Sequence, residues 1–133
     1  MIIEKNFQNY TVSYNSILKD ILFKIDNNKS KIVFVVDAAS KVIGSISDGD
    51  IRRYMIVQSK ISFSIKASEI CNPIFKYIKH DESPEKIKIM VNGKINIAPI
   101  VDNDLKIIAI AKKRPENFRI QNFTIGEKFP TFI

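Results

Sequence analysis

Gly44, Ser47 and Asp50 lie where an apolar run gives way to a polar one, in the stretch VIGSISDGD. A glycine lets a ligand approach the backbone closely, and the free N–H groups at the start of a helix attract phosphate. A serine hydroxyl donates a hydrogen bond to a phosphate or ribose oxygen, and a carboxylate early in the helix accepts hydrogen bonds from ribose hydroxyls. The pattern therefore predicts that Ser47 contacts the sugar-phosphate side of a nucleotide and that Asp50 contacts its sugar.

The same residues also fit a purely structural role. Ser47 and Asp50 have the spacing of a capping box, in which the two side chains hydrogen-bond the first turn of a helix. Gly44 equally fits a strand position at which two backbones pack closely. Arg52 and Arg53 can pair with a phosphate or with an anionic surface of a partner domain, or they can be solvated helix charges. The residue types leave the binding and the structural interpretations open.

The chain contains an internal repeat. IVFVVD followed by KVIGSIS in the first half corresponds to INIAPIVD followed by KIIAIAK in the second. Matching residues are 65 positions apart, so that Val36, Asp37, Lys41 and Gly44 correspond to Val101, Asp102, Lys106 and Ala109. The two apolar runs of each copy predict a pair of strands, joined by a turn at residues 38–40 and 103–105.

A helical segment precedes the strands in each copy, because apolar residues recur there at spacings of three and four. The two segments are SILKDILFKIDNN, from Ser16, and SPEKIKIMVN, from Ser83. Both serines are predicted N-caps, Pro84 suits the first helical position, and Asn92 with Gly93 suits a helix end.

The segment between the second strand of one copy and the helix of the next also has predicted structure. A helix is predicted directly after the strands of the first copy, with Ser47 or Asp48 as its N-cap. The stretch ISFSIKASEICNP, residues 61–73, predicts a short strand and one helical turn that ends before Pro73.

The second copy does not conserve the polar motif of the first. Ala109, Lys112 and Pro115 stand where the first copy has Gly44, Ser47 and Asp50. We therefore expect one competent site at most. Lys112, with its neighbours Lys113 and Arg114, either neutralises a phosphate chain in the cleft between the copies or forms a basic linker.

Composition limits the class of protein. The 133 residues fit one compact domain or two small halves with a common core, and 45% hydrophobic with 26% charged residues is typical of a globular chain. The net charge of +7 comes from lysines spread along the sequence and mixed with carboxylates. Because no aromatic residues alternate with the basic clusters, we expect no nucleic-acid partner.

The sequence offers few groups for catalysis or for membrane insertion. The single cysteine, Cys71, and the single histidine, His80, exclude an internal disulfide and make no metal-ligand set. No nucleophile with a base can be assembled, so we expect neither catalytic residues nor a catalytic cofactor. The chain has no apolar run of roughly 20 residues and no signal peptide, which predicts a cytoplasmic protein without membrane association.

Three stretches together resemble the paired cystathionine-β-synthase (CBS) domains, or Bateman module. They are VIGSISDGDIRRY from Val42, ASEICNPIFKYI from Ala67 and APIVDND from Ala98. The resemblance implies an α/β (α+β) fold of two tandem CBS repeats, each a small sheet with helices on one face, packed with pseudo-two-fold symmetry. It divides the chain into repeat 1 with an N-terminal lead-in, repeat 2, and a linker toward an absent catalytic domain, at residues 1–62, 63–114 and 115–133.

The resemblance also implies a regulatory function. A CBS pair binds AMP, ADP, ATP or another nucleotide, and it commonly forms a homodimer. Six residues are the predicted ligand contacts: Gly44, Ser47, Asp50, Arg52, Arg53 and Lys112. The family recognises the base through backbone groups and apolar walls, which correspond here to residues 11–14 and 32–36.

Two further features are similar to those of one class of enzyme. The sequence IRR after SDGD and the tail KKRPENFRIQNFTIGEKFPTFI resemble the N-terminal CBS region of bacterial sugar-1-phosphate nucleotidyltransferases. The resemblance implies a module that regulates such an enzyme, and the phenylalanines of the tail are expected to dock on its neighbouring domain: Phe118, Phe123, Phe129 and Phe132. The alternatives are a dimerisation scaffold without ligand and the regulatory module of a sugar-phosphate isomerase.

Overall fold

A computed structural model describes residues 2–93 and 95–113 of the chain. The elements are β1 (Ile2–Glu4), a 3-10 helix (Gln8–Tyr10), β2 (Thr11–Ser13), α1 (Leu18–Asn28), β3 (Ile32–Val36), β4 (Val42–Ser47), α2 (Asp48–Val57), α3 (Ala67–Ile70), β5 (Ile78–Lys79), α4 (Pro84–Asn92), β6 (Ile97–Val101) and β7 (Ile107–Lys112). The first half forms a sheet of order β2-β3-β4, and the second forms a sheet of order β1-β7-β6-β5. The predicted α+β class is confirmed.

The internal repeat is reproduced in the pairing of the strands. Val35 lies opposite Gly44 in the β3–β4 hairpin, and Ile100 lies opposite Ala109 in the β6–β7 hairpin. Both hairpins have an irregularity in register directly after this pair. The offset of 65 residues therefore holds through both hairpins, including the irregular position.

The turns between the paired strands are built in the same way in both copies. The Asp37 carboxylate accepts hydrogen bonds from the backbone N–H groups of Ala39 and Lys41, both at 2.9 Å. Asp102 accepts equivalent bonds in the second copy, at 2.8 and 2.9 Å. An aspartate that hydrogen-bonds the backbone two residues on stabilises a tight turn. The predicted turns are confirmed.

The two hairpins meet through a reciprocal pair of backbone hydrogen bonds. The Val42 N–H donates to the Leu105 carbonyl at 3.0 Å, and the Ile107 N–H donates to the Ser40 carbonyl at 3.2 Å. Each residue of the first bond corresponds to one of the second at the 65-residue offset. This exchange relates the copies by the predicted pseudo-two-fold symmetry. The core between them consists of Tyr10, Phe34, Val42, Val101, Ile107 and Ile110.

The lead-in segment of each copy pairs with the sheet of the other copy. Strand β1 lies antiparallel to β7 in the second sheet. In the first sheet, Ser45 and Asn72 exchange two backbone hydrogen bonds, at 3.0 and 2.8 Å. Contacts therefore cross the predicted boundary between residues 62 and 63 in both directions, and the boundary itself stays a prediction.

Two local predictions for the first copy are wrong. Helix α1 begins at Leu18, after Ile17, and not with Ser16 as its N-cap. Its first N–H donates to the Ile65 carbonyl at 3.0 Å, so a backbone group of the second lead-in replaces a side-chain cap. The short strand predicted within residues 61–73 is replaced by two isolated bridges, Ile17 with Lys66 and Ser45 with Asn72.

Other helix boundaries are confirmed. Ser83 caps α4 by accepting from the Lys86 N–H at 3.2 Å, Pro84 is its first residue, and Asn92 is its last. The helical turn before Pro73 is α3.

Candidate functional site

The start of α2 is closed by a capping box. The Ser47 hydroxyl accepts from the Asp50 backbone N–H at 3.2 Å, and Asp50 Oδ2 accepts from the Ser47 N–H at 2.9 Å and from its hydroxyl at 3.0 Å. Arg53 donates to Asp50 Oδ1 at 2.6 Å. Both carboxylate oxygens of Asp50 are thus occupied within the helix, and its side chain is only 13% exposed.

Gly44 makes room for the protein itself. A Cβ atom at this position would lie 2.7 Å from Cys71 Sγ and 2.9 Å from the Asn72 carbonyl oxygen. These atoms belong to the second lead-in, which pairs with β4 here through Ser45 and Asn72. Burial raises the pKa of the Cys71 thiol. The close packing gives the glycine the structural role that its sequence context also allowed.

A cleft with a volume of about 800 Å³ lies between the two copies. Its walls come from β3 and β4 in the first copy and from the second lead-in, the end of α4 and the start of β6 in the second. The lining residues are Ser30, Lys31, Ile32, Phe34, Ser45, Ser47, Ile74, Phe75, Lys76, Ile89, Met90, Gly93, Ile95, Asn96 and Ile97. The cleft is therefore mainly apolar, with hydroxyl groups on one wall and two lysines.

Among the predicted ligand contacts, Ser47 lines this cleft. The remaining five lie outside its lining: Gly44, Asp50, Arg52, Arg53 and Lys112. Of the two segments that correspond to base recognition in the family, the strand at residues 32–36 contributes Ile32 and Phe34, whereas residues 11–14 contribute none.

Sequence reasoning missed both lysines of the cleft. Lys31 and Lys76 are 45 residues apart in a chain with 21 lysines and arginines. Lys31 stands in no motif, and nothing in the stretch ASEICNPIFKYI marks Lys76 as a ligand contact. The structure distinguishes Lys31 by its backbone, which has a φ of 60°. Its carbonyl accepts from the Asp48 N–H at 3.2 Å. A left-handed conformation is strained for a residue with a Cβ atom. In this conformation the Lys31 backbone lies against the start of α2.

Lys112 takes part in a closed polar cluster. Its ammonium group donates to the Tyr10 hydroxyl at 2.6 Å and lies 3.1 Å from Glu4 Oε2. The contact with Glu4 is an ion pair without the angle of a hydrogen bond, since Oε2 is buried and accepts none. The bond to Tyr10 and the nearby carboxylate raise the pKa of Lys112, and Lys112 lowers the pKa of Glu4.

Arg114, Pro115 and the predicted tail contacts lie outside the described residues: Phe118, Phe123, Phe129 and Phe132. Within the part of the chain that the structure describes, no three His, Cys, Asp or Glu side chains group as a metal site. Of the helices within residues 2–93 and 95–113, none is long and apolar enough to cross a membrane.

Comparison with known proteins identifies the fold. The family model of the CBS domain matches residues 5–57. The CBS domains of a transcriptional regulator from Streptococcus pneumoniae superpose with a TM-score of 0.65 at 14% identity, over 82% of this chain and 87% of that one. The described chain has the fold of a CBS-domain pair.

Two further CBS-fold structures were solved with nucleotides. The CbpB protein of Listeria monocytogenes, in complex with c-di-AMP, has a TM-score of 0.64 at 20% identity, over 77% of this chain and 79% of that one. The cytosolic domain of the Mg²⁺ channel MgtE, in complex with ATP, has a TM-score of 0.59 at 19% identity, over 78% of this chain and 42% of that one. No curated protein matches the chain in sequence.

Proposed function

We propose that this CBS pair binds a nucleotide in the cleft between its copies and thereby regulates a catalytic domain. The cleft itself carries the proposal, because its volume of about 800 Å³ lies within the range of small-molecule sites. Its apolar walls suit a base, and Ser47 with the two lysines suits phosphate. The complexes of CbpB with c-di-AMP and of MgtE with ATP support a nucleotide as the ligand class.

Ser47 is the proposed phosphate contact, and Asp50 is a positioning residue. The Ser47 hydroxyl lines the cleft and donates to Asp50 at 3.0 Å, and rotation of the hydroxyl redirects this donor toward a ligand oxygen. Asp50 orients Ser47 through the capping box. Direct ligand contacts by Gly44, Arg52, Arg53 and Lys112 stay predictions.

Thermal unfolding with AMP, ADP, ATP, CMP, GTP and c-di-AMP tests binding. A ligand at about 100 times its Kd adds roughly 2.7 kcal/mol to the free energy of unfolding. Ser47→Ala removes a helix cap and the proposed contact, whereas the matched control Ser83→Ala removes only the equivalent cap of α4. We expect both variants to lose about 1 kcal/mol of stability and only Ser47→Ala to weaken the ligand response. No shift with any nucleotide would refute the proposal.

The regulated domain is proposed to be a cytoplasmic sugar-phosphate nucleotidyltransferase. The support is the IRR sequence at Ile51 and the tail after Lys112, which are similar to the regulatory region of such enzymes. The native polypeptide should transfer a nucleotidyl group to a sugar 1-phosphate, at a rate that changes with the nucleotide bound to the CBS pair. Transfer that is insensitive to the regulatory nucleotide would contradict the coupling.

A dimerisation scaffold is the second candidate. The capping box already satisfies Ser47 and Asp50, and several large apolar side chains of the first copy and of the second lead-in are exposed. They are Phe23 at 71%, Ile56 at 80%, Val57 at 76% and Phe63 at 57% exposure. Sedimentation of wild type and of Phe23→Ser distinguishes the roles: a scaffold predicts a dimer lost in the variant and no ligand response in either.

A further inference from the structure

Among the described residues, the charged side chains that line the cleft are all positive. Its charged lining residues, as far as the chain is described, are Lys31 and Lys76, and no carboxylate lines it. Lys31 precedes β3 in the first copy, and Lys76 precedes β5 in the second lead-in. The cleft thus receives one positive charge from each copy.

These two charges have no protein counter-ion among the described residues. The ion pairs found there join Arg53 with Asp50, Lys86 with Glu82, and Lys112 with Glu4. Asp26 and Asp48 line a neighbouring pocket that Lys31 also borders, but neither forms an ion pair with it, and Asp50 is already neutralised by Arg53.

The pseudo-two-fold symmetry supplies an internal comparison for the lysine from the second copy. Val12 pairs with Val35 as Ile78 pairs with Ile100, so Lys76 corresponds to Tyr10. Ser47 corresponds to Lys112 at the 65-residue offset. At the other end of the pair, Lys112 of the second copy donates a 2.6 Å hydrogen bond to Tyr10 of the first lead-in, which also supplies the carboxylate of Glu4. At the cleft, the lysine is Lys76, the counterpart of Tyr10, and the hydroxyl is that of Ser47, the counterpart of Lys112. Asn72, which pairs with Ser45, stands at the position that Glu4 has in the second sheet.

We infer that the cleft selects ligands with two or more phosphate groups and that Lys31 and Lys76 determine this specificity. The inference rests on the proposed nucleotide binding and narrows it to nucleoside di- and triphosphates or cyclic dinucleotides. Phosphate groups that contact both lysines act as the counter-ions that the described residues do not supply. Since each lysine belongs to a different copy, one such ligand links the two halves of the pair.

Isothermal titration of the purified chain with adenosine, AMP, ATP and c-di-AMP, without divalent cations, measures the selection. We expect affinity to rise from adenosine through AMP to the two ligands with more than one phosphate group, and to fall as salt is added. Tighter binding of ATP than of c-di-AMP identifies a linear polyphosphate as the preferred ligand, and the reverse order identifies a cyclic dinucleotide.

Lys31→Met and Lys76→Met should each weaken the preferred ligand roughly tenfold, the loss typical of one charge-assisted hydrogen bond. Adenosine affinity should not change. Lys60→Met is the matched control, because Lys60 is exposed and lies outside the cleft. Lys31→Gly removes the same charge and relieves the positive φ, so a loss of affinity in this variant cannot come from a damaged fold.

The outcomes separate the inference from the function on which it rests. If the affinity of nucleotides does not depend on the number of phosphate groups, or is unchanged in both methionine variants, the proposed phosphate selectivity is wrong and nucleotide binding itself is not refuted. If the wild type binds neither adenosine nor any nucleotide, both the proposed nucleotide binding and the proposed phosphate selectivity are refuted.

Discussion

The two copies of the repeat differ most at one equivalent place, the end of the second strand of each hairpin. In the first copy Ser47 begins a helix and faces an open cleft. In the second copy Lys112 occupies the same register and is held by Tyr10 and Glu4. The hairpin pairing is the same at both places, Ile32 with Ser47 and Ile97 with Lys112. The lead-ins differ, because the first pairs with β7 as the strand β1 and the second meets β4 in a single bridge. A duplicated fold can therefore keep the symmetry of its hairpins while their two ends have different surroundings.

The strongest test of this difference exchanges equivalent residues for alanine. Tyr10 is 4% exposed, and Tyr10→Ala should lower the free energy of unfolding by about 3 kcal/mol, the usual cost of removing a buried aromatic ring. Lys76→Ala, at the corresponding exposed position, should change it by less than about 0.5 kcal/mol. Urea unfolding measures both. Equal losses would show that the second end is no more closed than the first.

Gly44 offers the next largest effect. Gly44→Ala places a Cβ atom 2.7 Å from Cys71 Sγ and 2.9 Å from a backbone carbonyl, and overpacking of this kind costs about 2 kcal/mol. Gly49→Ala is the control, because its Cβ atom would meet nothing closer than the Arg53 guanidinium at 3.4 Å. Alanine is the better helix former, so the control should gain up to about 1 kcal/mol. A stable Gly44→Ala would contradict the structural role of this glycine.

The filled end should also respond to acid. Lys112 lowers the pKa of Glu4 below its ordinary value of 4.5, so the stabilisation is complete above that pH and is lost as the pH falls through the lowered pKa. The raised pKa of Lys112 acts oppositely: its contribution is complete below 10.5 and is lost as the pH rises through the folded pKa. Partial exposure screens the pair, which limits its contribution to below about 1 kcal/mol.

Glu4→Gln tests this response. Its stability should fall below that of wild type at pH 7, and the difference should shrink as the pH falls from 5 to 3, as measured by urea unfolding at each pH. A difference that is constant over this range would exclude the ion pair as its origin.

The smallest expected effect concerns the backbone at the open end. Lys31→Gly relieves the strain of a φ of 60°. This relief should exceed the entropy cost of glycine, so the free energy of unfolding should rise by up to about 0.5 kcal/mol. Asn96 is the counterpart of Lys31 at the 65-residue offset and lacks a positive φ. Asn96→Gly should therefore lose about 0.5 kcal/mol. Thermal unfolding of the two variants should give shifts of opposite sign.

The sequence by itself determined the local and repeated parts of this protein. The 65-residue offset predicted both hairpins, and Asp37 and Asp102 marked their turns. Ser83 marked the start of α4, and the spacing of Ser47 with Asp50 predicted the capping box. These features depend on groups within a few residues of one another, or on a repeat that can be counted along the chain.

Only the tertiary structure decided what surrounds these elements. Ser16 failed as an N-cap because a distant backbone carbonyl, that of Ile65, takes its place. The role of Gly44 depends on Cys71. The cleft forms between the two copies, with Ser47 on one side and Lys76 on the other. Each case joins residues at least 27 positions apart through the exchange of lead-ins. No short pattern of residue types records such a contact, because its geometry exists only after both copies have packed together.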